Sequence, residues 1–229
     1  MTVTIHHDLI QGTEEWLAAR RGLITASEMN LLLTPTLKTA NNDKSRAHVW
    51  ELAAQRISGY VEPGYISDDM LRGWNDEIEA RRIYDEKIAR LGTVGFITND
   101  KWGFELGYSP DALVGDDGLI EVKSRRQKYQ IETIHADAVP TEYALQLQTG
   151  LLVSERKWID FISYSGGLPM VIYRVFPDDV TQAAIIEVAG KVEQRIAAVV
   201  MRYWTCTHSL AAEGRAFPTE RKVEQEMIL

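Results

Sequence analysis

The sequence has little cysteine, no long apolar run and no excess of basic residues. Cys206 is the single cysteine among 229 residues, so no internal disulfide can form and a reducing compartment is expected. No stretch reaches the roughly 18 consecutive apolar residues of a membrane helix. The N-terminal residues MTVTIHHDLIQGTEEW also lack the basic start and apolar run of a signal peptide. These absences predict a cytoplasmic protein.

The charge balance is acidic. Lys and Arg together number 25 and Asp and Glu 33, which gives a net charge of −8. Proteins that bind nucleic acid tightly and non-specifically as monomers usually have a basic excess, so the composition disfavours that class. Net charge describes the whole surface and not one groove, so chemistry on DNA inside an enclosed site is not excluded.

The order of predicted elements favours an α/β (α+β) fold in which a mixed sheet is flanked by helices. We predict one domain over residues 1–229, with a helical N-terminal part (about 12–91), a sheet core (about 93–176) and a C-terminal helix plus tail (about 178–229). The predicted helices are 12–21, one that starts at Thr25, 45–58, 67–91, 127–137, 141–153 and 178–203, and the predicted strands are 93–98, 102–108, 111–115, 118–124, 157–164 and 170–176. The role of residues 205–229 stays open.

Local signals predict where two of these helices begin and end. Thr25 and Glu28 stand three residues apart before an apolar run, which is the spacing of a capping box. Ser67 is the expected N-cap of the long helix, and Gly92 is its expected C-terminal stop.

One stretch carries the chemistry. Asp111 opens a predicted strand after Ser109-Pro110, and Glu121-Val122-Lys123 lies in the next strand across a turn near Asp117-Gly118. Side chains alternate along a strand, so Glu121 and Lys123 share one face while Val122 points into the core. With a turn centred near residue 117, Asp111 is expected opposite Lys123, with Glu121 diagonal to it.

Two carboxylates and an ammonium group at one point suit metal-assisted phosphodiester hydrolysis. Mg²⁺ prefers oxygen ligands and keeps several waters, and a bound metal ion activates water and polarises a phosphate. From spacing alone, however, the same residues could be ordinary surface residues of a hairpin.

The chain resembles the lambda-type phage exonucleases, a YqaJ-like viral recombinase family within the PD-(D/E)xK nuclease superfamily. The resemblance runs from about Trp16 to Tyr173. Four blocks carry it in order: Arg20-Arg21-Gly22-Leu23-Ile24-Thr25-Ala26-Ser27-Glu28; Gly73, Glu77 and Ala80-Arg81; Ser109-Pro110-Asp111 with Glu121-Val122-Lys123; and Gln146-Leu147-Gln148. It implies a restriction-endonuclease-like core.

The resemblance also implies roles for residues of these blocks. Asp111, Glu121 and the backbone carbonyl of Val122 would hold the metal, which is expected to be two Mg²⁺ ions (or Mn²⁺), while Lys123 would act on the attacking water. Glu77 would add a carboxylate to the catalytic group. Arg20 and Ser27 would hold the 5′-phosphate of a DNA end, Gln148 would orient Lys123 or a phosphate, and Met70 would stand where the family has an apolar wedge.

Each of these roles has a structural alternative. Glu77 could pair with Arg81 at helical spacing, Arg20 could complement a helix dipole, and Met70 could belong to a packed helix face with Trp74. Ser27 could be a first-turn polar residue and Gln148 an exposed helical one.

The function implied by the resemblance is that of a Mg²⁺-dependent 5′→3′ exodeoxyribonuclease. Such an enzyme digests one strand of a double-stranded end and leaves a 3′ overhang for recombination by single-strand annealing. A homotrimeric ring around DNA, an annealing-protein partner and a phage or prophage origin in a bacterial host cytoplasm follow from the same resemblance. Two alternatives remain open, an endonuclease of the same superfamily and a non-catalytic protein that binds DNA ends.

Overall fold

The computed structural model describes residues 2–62 and 68–221. Its helices are α1 (Glu14–Arg20), α2 (Met29–Leu32), α3 (Asp43–Ser58), α4 (Asp68–Lys87), α5 (Gln127–Ala136), α6 (Thr141–Ser154) and α7 (Asp179–Ala212), with a 3-10 turn at Ala26–Glu28. Its strands are β1 (Val3–His6), β2 (Ile24–Thr25), β3 (Leu91–Gly92), β4 (Phe96–Asn99), β5 (Leu106–Tyr108), β6 (Ala112–Val114), β7 (Gly118–Ser124), β8 (Trp158–Tyr164) and β9 (Val171–Val175). In this part of the chain, no helix is both long and apolar enough to cross a membrane.

The strands form two mixed sheets. The larger sheet has five strands in the order β3-β6-β7-β8-β9, and the smaller has four in the order β1-β4-β5-β2. Strand β7 pairs antiparallel with β6 and parallel with β8. Parallel neighbours need a long crossover connection, and α5 and α6 supply it. The mixed α/β fold predicted from the sequence is therefore confirmed, with two sheets where one was expected.

The two faces of β7 belong to two different hydrophobic clusters. Leu119 packs in the larger cluster, which also contains residues of α6 and the smaller sheet. Ile120 and Val122 pack in the second cluster with Ala80 and Tyr84 of α4. Helices thus cover both faces of the central strand, and this strand positions the candidate site.

Helix α6 lies between the sheets because it contacts β4, β5 and β8. Gly150 makes this close approach possible: a Cβ atom there would lie 2.7 Å from Cζ of Tyr108 on β5. The lack of a side chain lets the Tyr108 ring pack directly on the helix.

Several element boundaries differ from the sequence prediction. The prediction that Gly92 stops the long helix is wrong: α4 ends at Lys87 and Gly92 lies in β3, where the carboxylate of Asp85 accepts the backbone N–H of Leu91 at 2.7 Å. The N-cap predicted at Ser67 lies outside the described residues. Strand β1, which was not predicted, pairs with β4 and extends the sheet into the N-terminal segment.

Helix α7 continues to Ala212, past the predicted end at residue 203. The chain from residue 191 to 213 contains neither glycine nor proline, and the left-handed Gly214 (φ 69°) follows the helix. The helix therefore tolerates Gly190 in its interior and ends two residues before Gly214, the next glycine or proline along the chain.

Candidate active site

The β6–β7 hairpin brings the two central acidic residues together, although not in the predicted register. Ala112 pairs with Ile120, and the backbone N–H of Asp111 donates to the carbonyl of Ile120 at 3.3 Å. One step further along the same register, Asp111 faces Glu121 and not Lys123. The reason is the turn, which spans residues 115–117 with Gly115 in the left-handed region (φ 53°) and so centres one residue earlier than expected.

Glu121 is the most enclosed acidic group of the site, with 3% of the residue exposed. Its Oε2 accepts the hydroxyl of Tyr108 at 2.8 Å. Its Oε1 accepts both the Nζ of Lys123 at 2.8 Å and the Nε2 of Gln146 at 2.6 Å. Three donors from β5, β7 and α6 therefore fix the carboxylate in one orientation.

Lys123 remains charged in this setting. Burial alone would lower its pKa, but the carboxylates of Glu121 and Asp111 outweigh burial, and the net pKa lies above the ordinary value. The predicted arrangement of Glu121 and Lys123 on one face of β7, with Val122 in a hydrophobic cluster on the other, is confirmed.

Asp111 carries an unfavourable negative charge. Burial and then its neighbours Glu121 and Glu77 raise its pKa well above the ordinary range, and Lys123 and the backbone N–H of Val122 offset only part of this. An accumulation of carboxylates that repel one another is typical of sites that take a cation.

Glu77 reaches the same cleft from α4. Its Oε1 accepts a hydrogen bond from Arg81 at 3.3 Å, as the structural alternative predicted. Burial nevertheless raises its pKa, Arg81 counteracts the rise, and Glu121 adds to it. Glu77 therefore belongs both to an ion pair along the helix and to the charge cluster.

Arg20 lines the same cleft, and its side-chain hydrogen-bond partners are neutral. Its guanidinium donates to the hydroxyls of Ser109 and Thr25, both at 3.3 Å, and its Cζ lies 4.3 Å from the centre of the Trp16 ring. Burial lowers its pKa, and Glu28 partly restores it. A cation held by hydroxyls and an aromatic ring is well suited to bind an anion.

A chain of hydrogen bonds holds Arg20 in place. The hydroxyl of Thr25 donates to Oε2 of Glu28 at 2.6 Å, and Nε2 of the buried His48 lies 3.8 Å from the same oxygen. The expected capping box is not formed, because the side chain of Thr25 makes no capping hydrogen bond to the backbone. Thr25 and Glu28 instead hold Arg20, whose side chain faces the cleft. Ser27 is exposed at the rim of the same cleft.

These groups line one cleft of about 290 Å³, which we call the catalytic cleft. It is lined by Gln11, Trp16, Arg20, Ala26, Ser27, Glu77, Tyr108, Ser109, Asp111, Glu121, Val122, Lys123 and Gln146. The structure thus brings together all predicted site residues except Gln148 and Met70.

Gln148 does not reach the catalytic cleft. Its Nε2 donates to the carbonyl of Phe176 at 2.8 Å, and its Oε1 accepts the backbone N–H of Asp178 at 2.9 Å. Two residues along a helix are separated by about 200° of rotation, so Gln146 and Gln148 point to nearly opposite sides of α6. The position expected of Gln148 is taken by Gln146.

Met70 lies outside the catalytic cleft, on the border of a neighbouring one. It is 47% exposed, and so are its neighbours along α4, since Trp74 is 49% and Ile78 68% exposed. The alternative in which Met70 is packed in the core is therefore wrong.

The donor set of the catalytic cleft fits a hard divalent cation. Among the described residues, no group of three or more His, Cys, Asp or Glu side chains is arranged closely enough to hold a metal ion. Mg²⁺ does not require such a group, because it commonly binds through one or two carboxylates, waters and substrate phosphates. Asp111 and Glu121 would supply the carboxylates, and a cation would relieve their mutual repulsion.

Two functional candidates were not identified from the sequence. Tyr108 and Gln146 both bind Glu121, yet Tyr108 reads in the sequence as an ordinary strand residue, and Gln146 was quoted only as part of the Gln146-Leu147-Gln148 block, without a role. Ser109, which holds Arg20 and also accepts the indole N–H of Trp16 at 3.0 Å, was quoted only as part of the Ser109-Pro110-Asp111 block.

Comparison with solved structures finds clear relatives. The chain is similar to the alkaline exonuclease LHK-Exo of Laribacter hongkongensis, with 32% identity over 86% of this chain and 100% of that chain and a TM-score of 0.77. The same protein in complex with dAMP matches equally well, with 32% identity and a TM-score of 0.77. A phage-related exonuclease from Haemophilus somnus 129PT has a TM-score of 0.55 at 13% identity, over 79% of this chain and 96% of that chain, and so shares the fold.

These relatives confirm the restriction-endonuclease-like fold expected from the sequence. No curated protein sequence matches the chain. The model of the YqaJ-like viral recombinase domain matches residues 15–157, which is more than half of the protein and includes every residue of the catalytic cleft except Gln11. The chain therefore belongs to the YqaJ-like viral recombinase family.

Proposed function

We propose that this protein is a Mg²⁺-dependent 5′→3′ exodeoxyribonuclease that digests one strand from a double-stranded end. One observation carries the proposal: Asp111, Glu121, Lys123 and Arg20 line a single cleft. Two acidic groups and an ammonium suit metal-assisted phosphodiester hydrolysis, and a guanidinium nearby gives the cleft a place for a second phosphate. The family and its similarity to alkaline exonucleases support a DNA exonuclease.

Arg20 would set the polarity. Its guanidinium can bind a terminal 5′-phosphate in a bidentate manner, and the hydroxyls of Thr25 and Ser109 hold it in the cleft. A strand anchored in this way presents its first internal phosphodiester to Asp111 and Glu121.

Lys123 would act as a cation. Because its pKa is raised, the ammonium persists at neutral and alkaline pH, where it can orient the attacking water and stabilise the charge that develops on the phosphate. Glu121, fixed by Tyr108 and Gln146, keeps that ammonium in place. Two Mg²⁺ ions (or Mn²⁺), bound by Asp111, Glu121 and the carbonyl of Val122 with help from Glu77, would activate the water and polarise the phosphate.

The reaction regenerates its own substrate. Water adds to phosphorus, the bond from phosphorus to the 3′-oxygen of the terminal nucleotide breaks, and that oxygen takes a proton. A 5′-mononucleotide leaves, and the shortened strand again ends in a 5′-phosphate that Arg20 can bind. Repetition leaves a 3′ overhang, the substrate of a single-strand annealing protein, which we propose as the partner.

Digestion of linear duplex labelled at either the 5′ or the 3′ end tests the proposal. We expect Mg²⁺-dependent release of the 5′ label as mononucleotide at once and of the 3′ label only late, with no activity in chelator or in the Lys123→Ala protein. Cleavage of closed circular DNA would instead indicate an endonuclease, and end binding without release of label would indicate a non-catalytic protein.

Light scattering with and without DNA would test the proposed ring-shaped homotrimer.

A further inference from the structure

A second cleft lies beside the catalytic cleft, where β7 ends. Its volume is about 470 Å³, and its charged and aromatic lining consists of Arg72, Arg125, Arg126, Tyr129, Glu142 and Tyr143. We call it the arginine cleft. Three guanidinium groups and one carboxylate line this cleft, and the carboxylate of Asp76 lies 3.8 Å from Arg72.

Arg125 is buried with an incomplete set of hydrogen bonds. Its side chain is 8% exposed, and its Nη1 donates to Oε1 of Glu142 at 2.7 Å and to the hydroxyl of Tyr143 at 2.6 Å. Its Nε is buried with no hydrogen-bond partner. Leaving a buried donor of a charged group unpaired is costly, and a negative charge beside the guanidinium would offset part of that cost.

The start of α5 adds a second feature that suits an anion. This helix of 10 residues has Arg126 at its N-cap, and no side chain caps its first turn. The N–H groups of a first turn and the helix dipole favour a negatively charged ligand. The first turn of α5 begins two residues after Arg125 in the sequence.

Aromatic rings complete the arginine cleft. Cζ of Arg125 lies 5.2 Å from the ring centre of Tyr129 and 5.3 Å from that of Tyr143, and Tyr129 is 41% exposed. Guanidinium groups that bind phosphate, combined with exposed rings on which bases stack, are typical of sites for single-stranded nucleic acid.

The arginine cleft is coupled to the catalytic one through β7 and Tyr143. Glu121, Lys123 and Arg125 occupy every second position along the chain. The backbone N–H of Arg125 donates to the carbonyl of Tyr164 on β8 at 2.7 Å, so the β7–β8 pairing continues past Ser124. At the rise of a strand, Lys123 and Arg125 are about 7 Å apart, comparable to the spacing of successive phosphates along a nucleic-acid strand. The Tyr143 ring also lies 5.4 Å from the Nζ of Lys123.

We propose that the arginine cleft binds the phosphate that follows the scissile one on the 3′ side of the same DNA strand, with the adjoining base against Tyr129. The inference rests on the proposed function, in which Arg20 holds the 5′-terminal phosphate. Arg125 then holds the strand on the other side of the bond that is cut.

A scan with neutral linkages tests this assignment. Duplexes are prepared with a single methylphosphonate at each of the first internal positions of the digested strand, and the rate of 5′-label release is measured for wild type and Arg125→Gln. We expect one position, next to the scissile phosphate, at which wild type loses about tenfold in kcat/KM, as for a charge-assisted hydrogen bond. Arg125→Gln should lose nothing further at that position. Arg90→Gln is the matched control, since the Arg90 side chain is 89% exposed, and it should behave as wild type.

A second substitution keeps the test independent of the buried guanidinium. Tyr129→Ala removes an exposed ring, and an abasic residue at the same position of the strand removes its partner. We expect wild type to lose about tenfold on the abasic duplex, as for one stacked base, and Tyr129→Ala to lose equally on normal DNA but nothing more on the abasic duplex.

The outcomes separate the two proposals. If wild type releases no label from any linear duplex, the proposed function fails. If wild type is active but Arg125→Gln and Tyr129→Ala show the same position dependence as wild type, the arginine cleft does not bind the digested strand. If Arg125→Gln does not fold, the abasic comparison with Tyr129→Ala decides alone.

Discussion

The amide of Gln146 and the ammonium of Lys123 donate to the same oxygen of Glu121, at 2.6 and 2.8 Å. Helix α6 and strand β7 therefore meet at one carboxylate atom. If this shared contact fixes Glu121 for catalysis, removing the amide should affect turnover more than folding.

We expect Gln146→Ala to lower kcat about tenfold while the free energy of unfolding changes little. A tenfold loss in kcat corresponds to about 1.4 kcal/mol, whereas Tyr108 and Lys123 still bind the Glu121 carboxylate in the fold. Rates of label release at saturating duplex and urea unfolding measure the two effects.

Gln148→Ala is the matched control on the same helix: it should destabilise the protein at the start of α7 and leave kcat per folded molecule unchanged. The reverse pattern would reassign the site to Gln148.

Asp111→Asn is expected to stabilise the protein in the absence of metal. The raised pKa of Asp111 means that the folded state binds more protons than the unfolded state above the ordinary carboxyl pKa, so stability falls as pH rises through that range. The asparagine carries no such penalty, and its side-chain oxygen can still accept the N–H of Val122.

Urea unfolding in chelator should show this variant to be more stable than wild type at neutral and alkaline pH, where the folded state must carry the Asp111 charge. The difference should vanish below the ordinary carboxyl pKa. Asp117→Asn is the control in the turn of the same hairpin, where the side chain is 50% exposed. Equal stability of wild type and Asp111→Asn at every pH would mean that the carboxylate is not under electrostatic strain.

Arg20→Ala should slow digestion of 5′-phosphorylated ends by about 10- to 100-fold, since the lost interaction is a hydrogen bond between charged groups worth about 1.5–3 kcal/mol. On 5′-hydroxyl ends the same substitution should have little effect, because the partner of Arg20 is missing there. Steady-state rates on the two kinds of end give the comparison. A uniform loss on both ends would show that Arg20 supports the fold of the cleft and does not recognise the phosphate.

Gly150→Ala should reduce both stability and turnover. The new Cβ would lie 2.7 Å from Cζ of Tyr108, and relief of such a clash costs about 1–3 kcal/mol and moves the hydroxyl that Glu121 accepts. Gly190→Ala is a suitable control, because its nearest atom, Cε1 of Phe104, is at an ordinary 3.4 Å. Thermal unfolding and kcat are the measurements, and an unchanged kcat would show that Tyr108 does not position Glu121.

The sequence was sufficient for the part of the site that depends on local periodicity. The alternation of Glu121, Val122 and Lys123 follows from strand geometry alone. The partner of Asp111 depended on the turn, and a left-handed Gly115 moved the register by one residue. The choice between Gln146 and Gln148 depended on which side of α6 faces β7, and that rotation is a matter of tertiary packing, which no local pattern reveals.

The same limit explains the roles of Thr25 and Glu28. Their spacing is that of a capping box, but the buried guanidinium of Arg20 competes for the hydroxyl of Thr25, and this long-range contact determines its hydrogen bonds. Strand β1 was missed for a related reason: it has 4 residues, and its pairing with β4 joins segments about 90 residues apart.

Because β7 is covered by α6 on one face and by α4 on the other, neither face can open without exposing a hydrophobic cluster. The amide protons of residues 119–122 should therefore exchange with solvent only through global unfolding. The proposed catalytic groups would then lie on the most slowly exchanging segment of the molecule, so heat should abolish activity and tertiary structure in a single transition.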